Sequence, residues 1–271
     1  MKKRIFRGAA FVLLTLSVPA LGWGLKEKEV ISNTSVPQEQ TNGLSTVVSE
    51  TVSAETLFND HITKIYDSAG LKNASLDFEV YKKAITGYYN LKSNSKLSAQ
   101  KQILSIVDFS KPSTQKRLWI VDLASNKLLF HTLVAHGRGS GGLMASQFSN
   151  TEESYQSSLG FYVTDDTYFG KHGLSLRLKG LDKGLNTNAL ARAIVVHGAD
   201  YVSQRFVDQN GYLGRSHGCP ALPVELTNDI IKTIKGNTAL FIYSAPVKSD
   251  FINTELAVNS FMSANQALAT L

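Results

Sequence analysis

Two hydrophobic periods divide the chain. From Ser53 onward apolar residues return at helical spacing, with Leu57, Ile62, Ile65 and Tyr66 on one face, Ser53 placed as an N-cap and Gly70 where a C-terminal glycine belongs. A second helix is predicted from Ser75, carrying Phe78, Tyr81, Ile85 and Tyr88 or Tyr89, aromatics whose spacing assigns them to a core rather than to a ligand. After Lys101 the period becomes that of strands. Ile103 to Val107 and Leu118 to Val121 are β-rich runs, and a turn at Ser125-Asn126 leads into Leu128-Leu129-Phe130 and on to Val134, so a hairpin is expected. Gly137, Gly139, Gly141 and Gly142 then mark a long permissive loop, His136 to about Glu153, before the apolar segment Leu159 to Val163. Ala193-Ile194-Val195-Val196 is a short, wholly apolar strand that ends at His197. A helix from Val224 to Lys235, a strand Leu240 to Tyr243 and a short terminal helix from Leu256 to Leu268 complete the series, with no internal repeat. The pattern describes an α+β fold: one mostly-β domain of twisted mixed sheets, with helices at its start.

The N-terminal end reads differently. Lys2, Lys3, Arg4 and Arg7 form a basic region, Gly8 to Leu21 is apolar and uncharged, and small residues near Ala20-Leu21-Gly22 or Gly22-Trp23-Gly24 offer cleavage sites. That is the pattern of an export signal, and its apolar run is shorter than the roughly 20 residues of a membrane span. Residues 25–52, rich in Ser, Thr, Asn and Gln, read as a flexible linker. The expected organisation is therefore a signal over 1–24, the linker, an N-terminal helical segment over 53–100, a catalytic domain over 101–247 and a tail over 248–271. The destination is the periplasm or cell envelope, with no membrane association of the mature form unless the signal stays uncleaved. No cysteine follows the apolar run, so there is no lipid attachment site. The formal charge of +6 includes the four basic residues of the signal, which leaves 24 basic against 22 acidic side chains, or +2. A basic surface for nucleic acid is not implied.

Export makes Cys219 conspicuous, because it is the single cysteine of the chain and has no internal disulfide partner. It stands in Arg215-Ser216-His217-Gly218-Cys219-Pro220. A thiol is a good nucleophile when its thiolate is stabilised, typically by an imidazolium, and when a base shuttles the leaving group's proton. His197 and His217 both qualify by type. His217, two residues from the thiol in a glycine turn, suits shaping the loop; His197, held at the end of a buried strand, suits the base. Its tautomer would be fixed by the backbone carbonyl just after it or by Asp200. Gly218 removes a side chain beside the nucleophile, so the amides of His217, Gly218 and Cys219 are expected to converge on a developing oxyanion.

Ile194-Val195-Val196-His197-Gly198 followed by Ser216-His217-Gly218-Cys219 resembles the signature of the YkuD-type L,D-transpeptidase catalytic domain, most nearly the murein L,D-transpeptidase catalytic domain family. Val134 to Gly141 and Gly170 to Arg177 support the likeness, which spans roughly Phe78 to Ser244. The resemblance implies that Cys219 attacks the carbonyl linking meso-diaminopimelate to the terminal D-alanine of a tetrapeptide stem, and that an amine of another stem, or water, resolves the acyl-enzyme. It implies His197 as base, the Gly198 carbonyl as its orienter, and carbapenems as durable acylators of the thiol. Where such proteins continue with a hydrophobic residue and then Arg or Asn, this chain reads Pro220-Ala221-Leu222. Ser216, with Arg215 or Arg138 in place of the missing polar group, is the expected contact for the stem. The implied partner is the stem peptide of peptidoglycan, bound by a monomer without cofactor or metal.

Other signals carry less. Ser113 to Lys116 and Ser93 to Lys96 match Ser-x-x-Lys but lack the companion elements of a penicillin-binding serine enzyme. His172, His197 and His217 as zinc ligands lack a His-x-His or His-Glu-x-x-His spacing. His136 reads as a solvated strand end. Three readings remain: a peptidoglycan L,D-transpeptidase, a thiol hydrolase or carboxypeptidase using the same site, and a non-catalytic wall-binding protein.

Overall fold

The computed structural model describes residues 52–269, so the expected signal and nearly all of the expected linker lie outside the described residues. Helix α1 (Ala54–Ser68) starts on Ser53, whose hydroxyl accepts the Thr56 amide at 3.1 Å, as the sequence predicts. Its buried stripe is Phe58, Ile62, Ile65 and Tyr66. Leu57, expected in that stripe, stays 41% exposed, because the pattern i, i+4, i+7, i+8 begins one residue later. Helix α2 (Phe78–Ser93) starts later than expected from Ser75: Asp77 caps it, accepting the amides of Glu79 and Val80, while Ser75 sits at φ +58° in the preceding turn.

The strands are β1 (Ile103–Asp108), β2 (Leu118–Asp122), β3 (Lys127–Thr132), β4 (Gly160–Gly170), β5 (Gly173–Gly180), β6 (Val195–Gly198), β7 (Ala221–Leu222) and β8 (Ala239–Tyr243). They form one eight-stranded mixed sheet in the order β3-β2-β1-β8-β4-β5-β6-β7. The β1–β8 and β6–β7 pairs are parallel and the rest antiparallel. Helix α3 (Gln204–Asn210) lies between β6 and β7, α4 (Val224–Ile234) between β7 and β8, and α5 (Thr254–Ala269) follows β8.

Alternation along the strands sends side chains to two cores. Leu104, Ile106, Trp119, Val121, Phe161 and Phe241 pack with α1, α2 and α5. Ile103, Val107, Ile120, Tyr162, Leu176, Leu178, Val196 and Leu240 pack with Ile230, Ile231 and Ile234 of α4. Cover on both faces is why β1 is buried at every position and reads as a continuous apolar run. The N-terminal helices are thus a layer on the sheet itself.

The β2–β3 hairpin forms as expected. Strand β4 extends well past the predicted Val163, because it pairs with β5, a strand that the sequence pattern does not announce. The alternation Leu174, Leu176, Leu178 was the available signal, masked by glycines at both ends. The two join through Lys171 and His172 at a hairpin tip where Phe169 is 85% exposed.

Helix α2 lies flat on the sheet at Gly87, where an added Cβ would meet Cζ of Phe161 at 2.0 Å. Gly87→Ala gains up to about 1 kcal/mol of helix propensity but overpacks a rigid ring for about 1–3 kcal/mol. The overlap is severe enough that the second effect wins. Thermal unfolding of Gly87→Ala should show a midpoint several degrees below that of the parent; an unchanged or raised midpoint would show that the helix lifts freely.

Candidate active site

Parallel pairing of β6 with β7 sets His197 opposite Ala221. Cys219 stands two residues before Ala221, and so beside Val195, two residues before His197. The Val195 amide donates to Sγ at 3.4 Å, and the thiol donates to the Ala193 carbonyl at 3.7 Å. Nδ1 of His197 is 3.0 Å from the Gly198 carbonyl oxygen. A carbonyl only accepts, so Nδ1 carries the proton and Nε2 is the lone-pair nitrogen of the neutral ring. Among the described residues no hydrogen bond joins the Asp200 carboxylate to this imidazole, and none joins Nε2 to Sγ. His172, in the β4–β5 turn, stacks on His197 with centroids 4.4 Å apart and planes at 29°.

Burial pushes the Cys219 thiol above its ordinary value, against the pull of the Val195 amide, Arg192 and Lys171. Burial likewise pushes His197 down; the Gly198 carbonyl opposes this, while His172 and Lys171 add to it. The resting pair at neutral pH is therefore thiol and imidazole, not the thiolate and imidazolium that the sequence reading took as typical.

The loop before β7 is tied from within. Buried Ser216 donates its hydroxyl to the Cys219 carbonyl at 2.6 Å and accepts the Gly218 amide at 3.0 Å. Its polar capacity is spent on the loop rather than held out to a stem. Of the three amides expected to converge, that of Gly218 is thus engaged and that of Cys219 acts on its own sulfur; that of His217 has no partner among the described residues. Gly218 adopts φ +123°, with the Gln156 carbonyl 2.7 Å from where a Cβ would sit, so only glycine fits there. The exposed His217 ring packs edge-on to Tyr155 at 4.7 Å, and Arg138 covers the same tyrosine at 3.9 Å. Arg215 donates to the Gly141 carbonyl at 3.0 Å and lies over Tyr212. Both expected arginines are thus held by neighbouring loops.

Two groups escaped the sequence reading. Arg117 is fully buried, with bonds to the carbonyls of Val134 and Lys111 and, at 2.8 Å, to Nδ1 of His136. His136 is fully buried rather than solvated; burial and the Arg117 cation push it down to about 4, so it is neutral and its Nε2–H faces the Gly141 carbonyl. Its own carbonyl accepts the Ser216 amide at 3.0 Å, which ties this pair to the Cys219 loop. The other is Arg192, on the turn before β6. A single arginine beside the start of an apolar run gives no sequence signal for either role.

Two clefts border the thiol and imidazole. One, of about 370 Å³, is lined by Lys171, His172, Gly198, Asp200, Tyr201 and Val224. The other, of about 280 Å³, is lined by Tyr168, Arg177, Leu190, Ala193, Ile194 and Val195. Among the described residues no group of three His, Cys, Asp or Glu side chains is placed to hold a metal ion.

The family described as the L,D-transpeptidase catalytic domain matches residues 72–243. No curated protein matches the chain. Among solved structures, an L,D-transpeptidase from Mycobacterium smegmatis is 12% identical with a TM-score of 0.33, the match covering 53% of this chain and 59% of that one. An L,D-transpeptidase from Mycobacterium tuberculosis gives 12% identity, a TM-score of 0.35 and coverages of 53% and 58%. A helical cell shape determining protein from Campylobacter jejuni gives 12% identity, a TM-score of 0.37 and coverages of 69% and 64%. The chain thus spans less than two thirds of the length of these proteins, and likeness at this level says nothing of activity.

A neutral resting pair has a kinetic signature. Alkylation of Cys219 by iodoacetamide should climb steadily from about pH 6 to about pH 9 as the thiolate fraction grows, since the raised thiol loses its proton only above the ordinary cysteine range. Rates followed by intact mass would check this, and a plateau across the neutral range would indicate an ion pair instead.

Proposed function

The chain belongs to the L,D-transpeptidase catalytic domain family, and from that premise we propose that it acts on peptidoglycan tetrapeptide stems through an acyl-enzyme on Cys219. The observation that carries this reading is the adjacency of Cys219 and His197 across β6 and β7, with Nδ1 of the histidine spent on Gly198 and Nε2 free to accept a proton. We place the protein in the periplasm or cell envelope on the strength of residues 1–24. Among the described residues no helix is long and apolar enough to cross a membrane. We divide the chain as the sequence suggests: signal 1–24, linker 25–52, helical segment 53–100, catalytic domain 101–247 and tail 248–271, acting as a monomer.

In the proposed cycle, Nε2 of His197 takes the proton of Sγ as the sulfur adds to the carbonyl between diaminopimelate and the terminal D-alanine. The oxygen becomes an oxyanion and meets the amides of His217 and Cys219, the second of which turns to it from its own sulfur once that sulfur is bonded to carbon. Collapse breaks the peptide bond; His197 returns its proton to the departing D-alanine amine, and a thioester remains on Cys219. An amine of a second stem then attacks the thioester, gives its proton to His197 and leaves as the new amide, restoring the thiol. Water in place of the amine gives a tripeptide instead. The presence of two clefts, one lined by His172 and Gly198 next to the imidazole and one by Ala193 and Val195 next to the thiol, supports transfer between two stems over hydrolysis.

Purified sacculi treated with the enzyme and analysed by mass spectrometry should yield 3-3 cross-linked dimers. Tripeptides without dimers would convert the reading to a carboxypeptidase. Cys219→Ala should fold normally, because trimming a half-buried thiol leaves little cavity, yet lose activity by more than about a hundredfold. Turnover surviving in that variant would remove the thiol mechanism.

A carbapenem should add one drug mass to a tryptic peptide containing Cys219 and protect the thiol from iodoacetamide, since opening of the ring makes a tetrahedral oxyanion at the same amides. An adduct that persists in Cys219→Ala would name a different nucleophile.

A further inference from the structure

Arg192 has no part in the cycle just described. Its guanidinium reaches across to segment 149–158, where Nη1 donates to the Ser149 carbonyl at 2.6 Å and to Oγ of Ser158 at 3.0 Å. Nη2 donates to the Gln156 carbonyl at 2.6 Å and to Oγ of Ser154 at 3.2 Å. All four acceptors are neutral. The clamp therefore holds the group without cancelling its charge, and Glu152 acts on it only from beyond ion-pair distance. A Cβ built on Gly218 would lie 3.3 Å from Nη2, so the cation sits directly against the residue that precedes Cys219. The same segment grips the nucleophile loop independently: Oγ of Ser157 donates to the Gly218 carbonyl and accepts the Gly137 amide, each at 3.0 Å.

We propose that Arg192 is a positioning residue for Cys219, locked by segment 149–158 against Gly218 so that it fixes the nucleophile loop and sets an uncancelled positive charge beside the sulfur as negative charge develops there. The proposal rests on the cysteine-nucleophile reading and adds the group that answers a difficulty in it. The thiol is raised by burial, and no imidazolium waits beside it at rest. The charged and titratable groups that act on the sulfur are the cations Arg192 and Lys171 and the Tyr201 phenol; no carboxylate is among them. Lys171 stands at an open hairpin tip in contact with solvent, whereas Arg192 is fixed by four bonds, so Arg192 is the cation whose position survives thermal motion.

The test is the pH profile of Cys219 alkylation by iodoacetamide in the full-length protein, which needs neither substrate nor turnover. Arg192→Gln should move the midpoint up by about one unit, slowing alkylation near neutral pH about tenfold. Arg192→Lys, which keeps the charge on a single donor group, should recover most of that shift. The paired substitution Ser154→Ala with Ser158→Ala leaves the charge but loosens its clamp, and should move the midpoint in the same direction by less. A purely structural role would slow alkylation equally at every pH and leave the midpoint in place, and that result overturns the proposal. If Arg192→Gln does not fold, the serine pair decides: a midpoint identical to that of the parent overturns the proposal as well. Failure of the L,D-transpeptidase reading would look different, with no muropeptide product from a parent protein whose alkylation series still shifts as described.

Discussion

The site hangs on one short piece of parallel pairing, His197 with Ala221 and Gly198 with Leu222. These residues are distant in sequence, and a two-residue strand has little stability of its own. The pairing persists because its neighbours leave no alternative. Ala221 is also bonded from its other side, its carbonyl accepting the Ala135 amide at 2.9 Å, and Leu222 accepts the Ala199 amide at the same distance. Ala221 belongs to the small core of Leu133, Ala135, Val202 and Leu213, while Leu222 belongs to the main core under α4. The two side chains of β7 therefore anchor it to two hydrophobic bodies at once, and Cys219 takes its position from where that anchored strand begins.

Close backbone approach accounts for the glycines around it. A Cβ at Gly137 would fall 2.8 Å from Cα of Gly218, and one at Gly139 would fall 2.4 Å from the Ser154 carbonyl. Three chain segments, 137–140, 154–158 and 216–219, pack backbone to backbone and exchange hydrogen bonds through Ser140, Ser157 and Ser216. Such packing is rigid because its polar groups are paired. It also explains why an arginine without an ion-pair partner is tolerated inside the fold: Arg117 is fully buried, but each of its three nitrogens donates to a carbonyl or an imidazole nitrogen, and the Asp108 carboxylate favours its charge from a distance.

Much of this was legible from the chain, and the misses share a cause. The continuous apolar runs of β1, β2 and β8 identify themselves because both faces of the sheet are covered, and the cap at Ser53 because its chemistry is local. The start of α2 slipped since Ser75 and Asp77 are both competent caps and only the left-handed turn at Ser75 separates them. Strand β5 was hidden by its terminal glycines. At the site, the histidine and cysteine were legible from residue type and context. What Ser216 and His136 do was not: each was assigned an outward role, and each is buried, its polar atoms consumed by the loop it stabilises. Arg192 is the sharpest case, since the role proposed for it arises from hydrogen bonds to residues 34 to 43 positions away and from its approach to Gly218.

The protonation states follow from the same enclosure and constrain how the site can work. A sheltered thiol and a sheltered imidazole both resist charge, so neither is ionised in the resting site, and proton transfer from one to the other creates two charges where there were none. Each is best met by a stabiliser already in place, which costs no reorganisation at the moment of reaction. For the imidazolium that stabiliser is the Gly198 carbonyl, bonded to Nδ1–H and thus facing the positive ring. The developing anion has the Val195 amide, which already points at the sulfur, and under the proposal above it also has the guanidinium of Arg192. Stacking of His172 on His197 works against the imidazolium. In the proposed cycle that opposition favours a brief ion pair that returns its proton to the leaving amine, as a base that must next act as an acid requires.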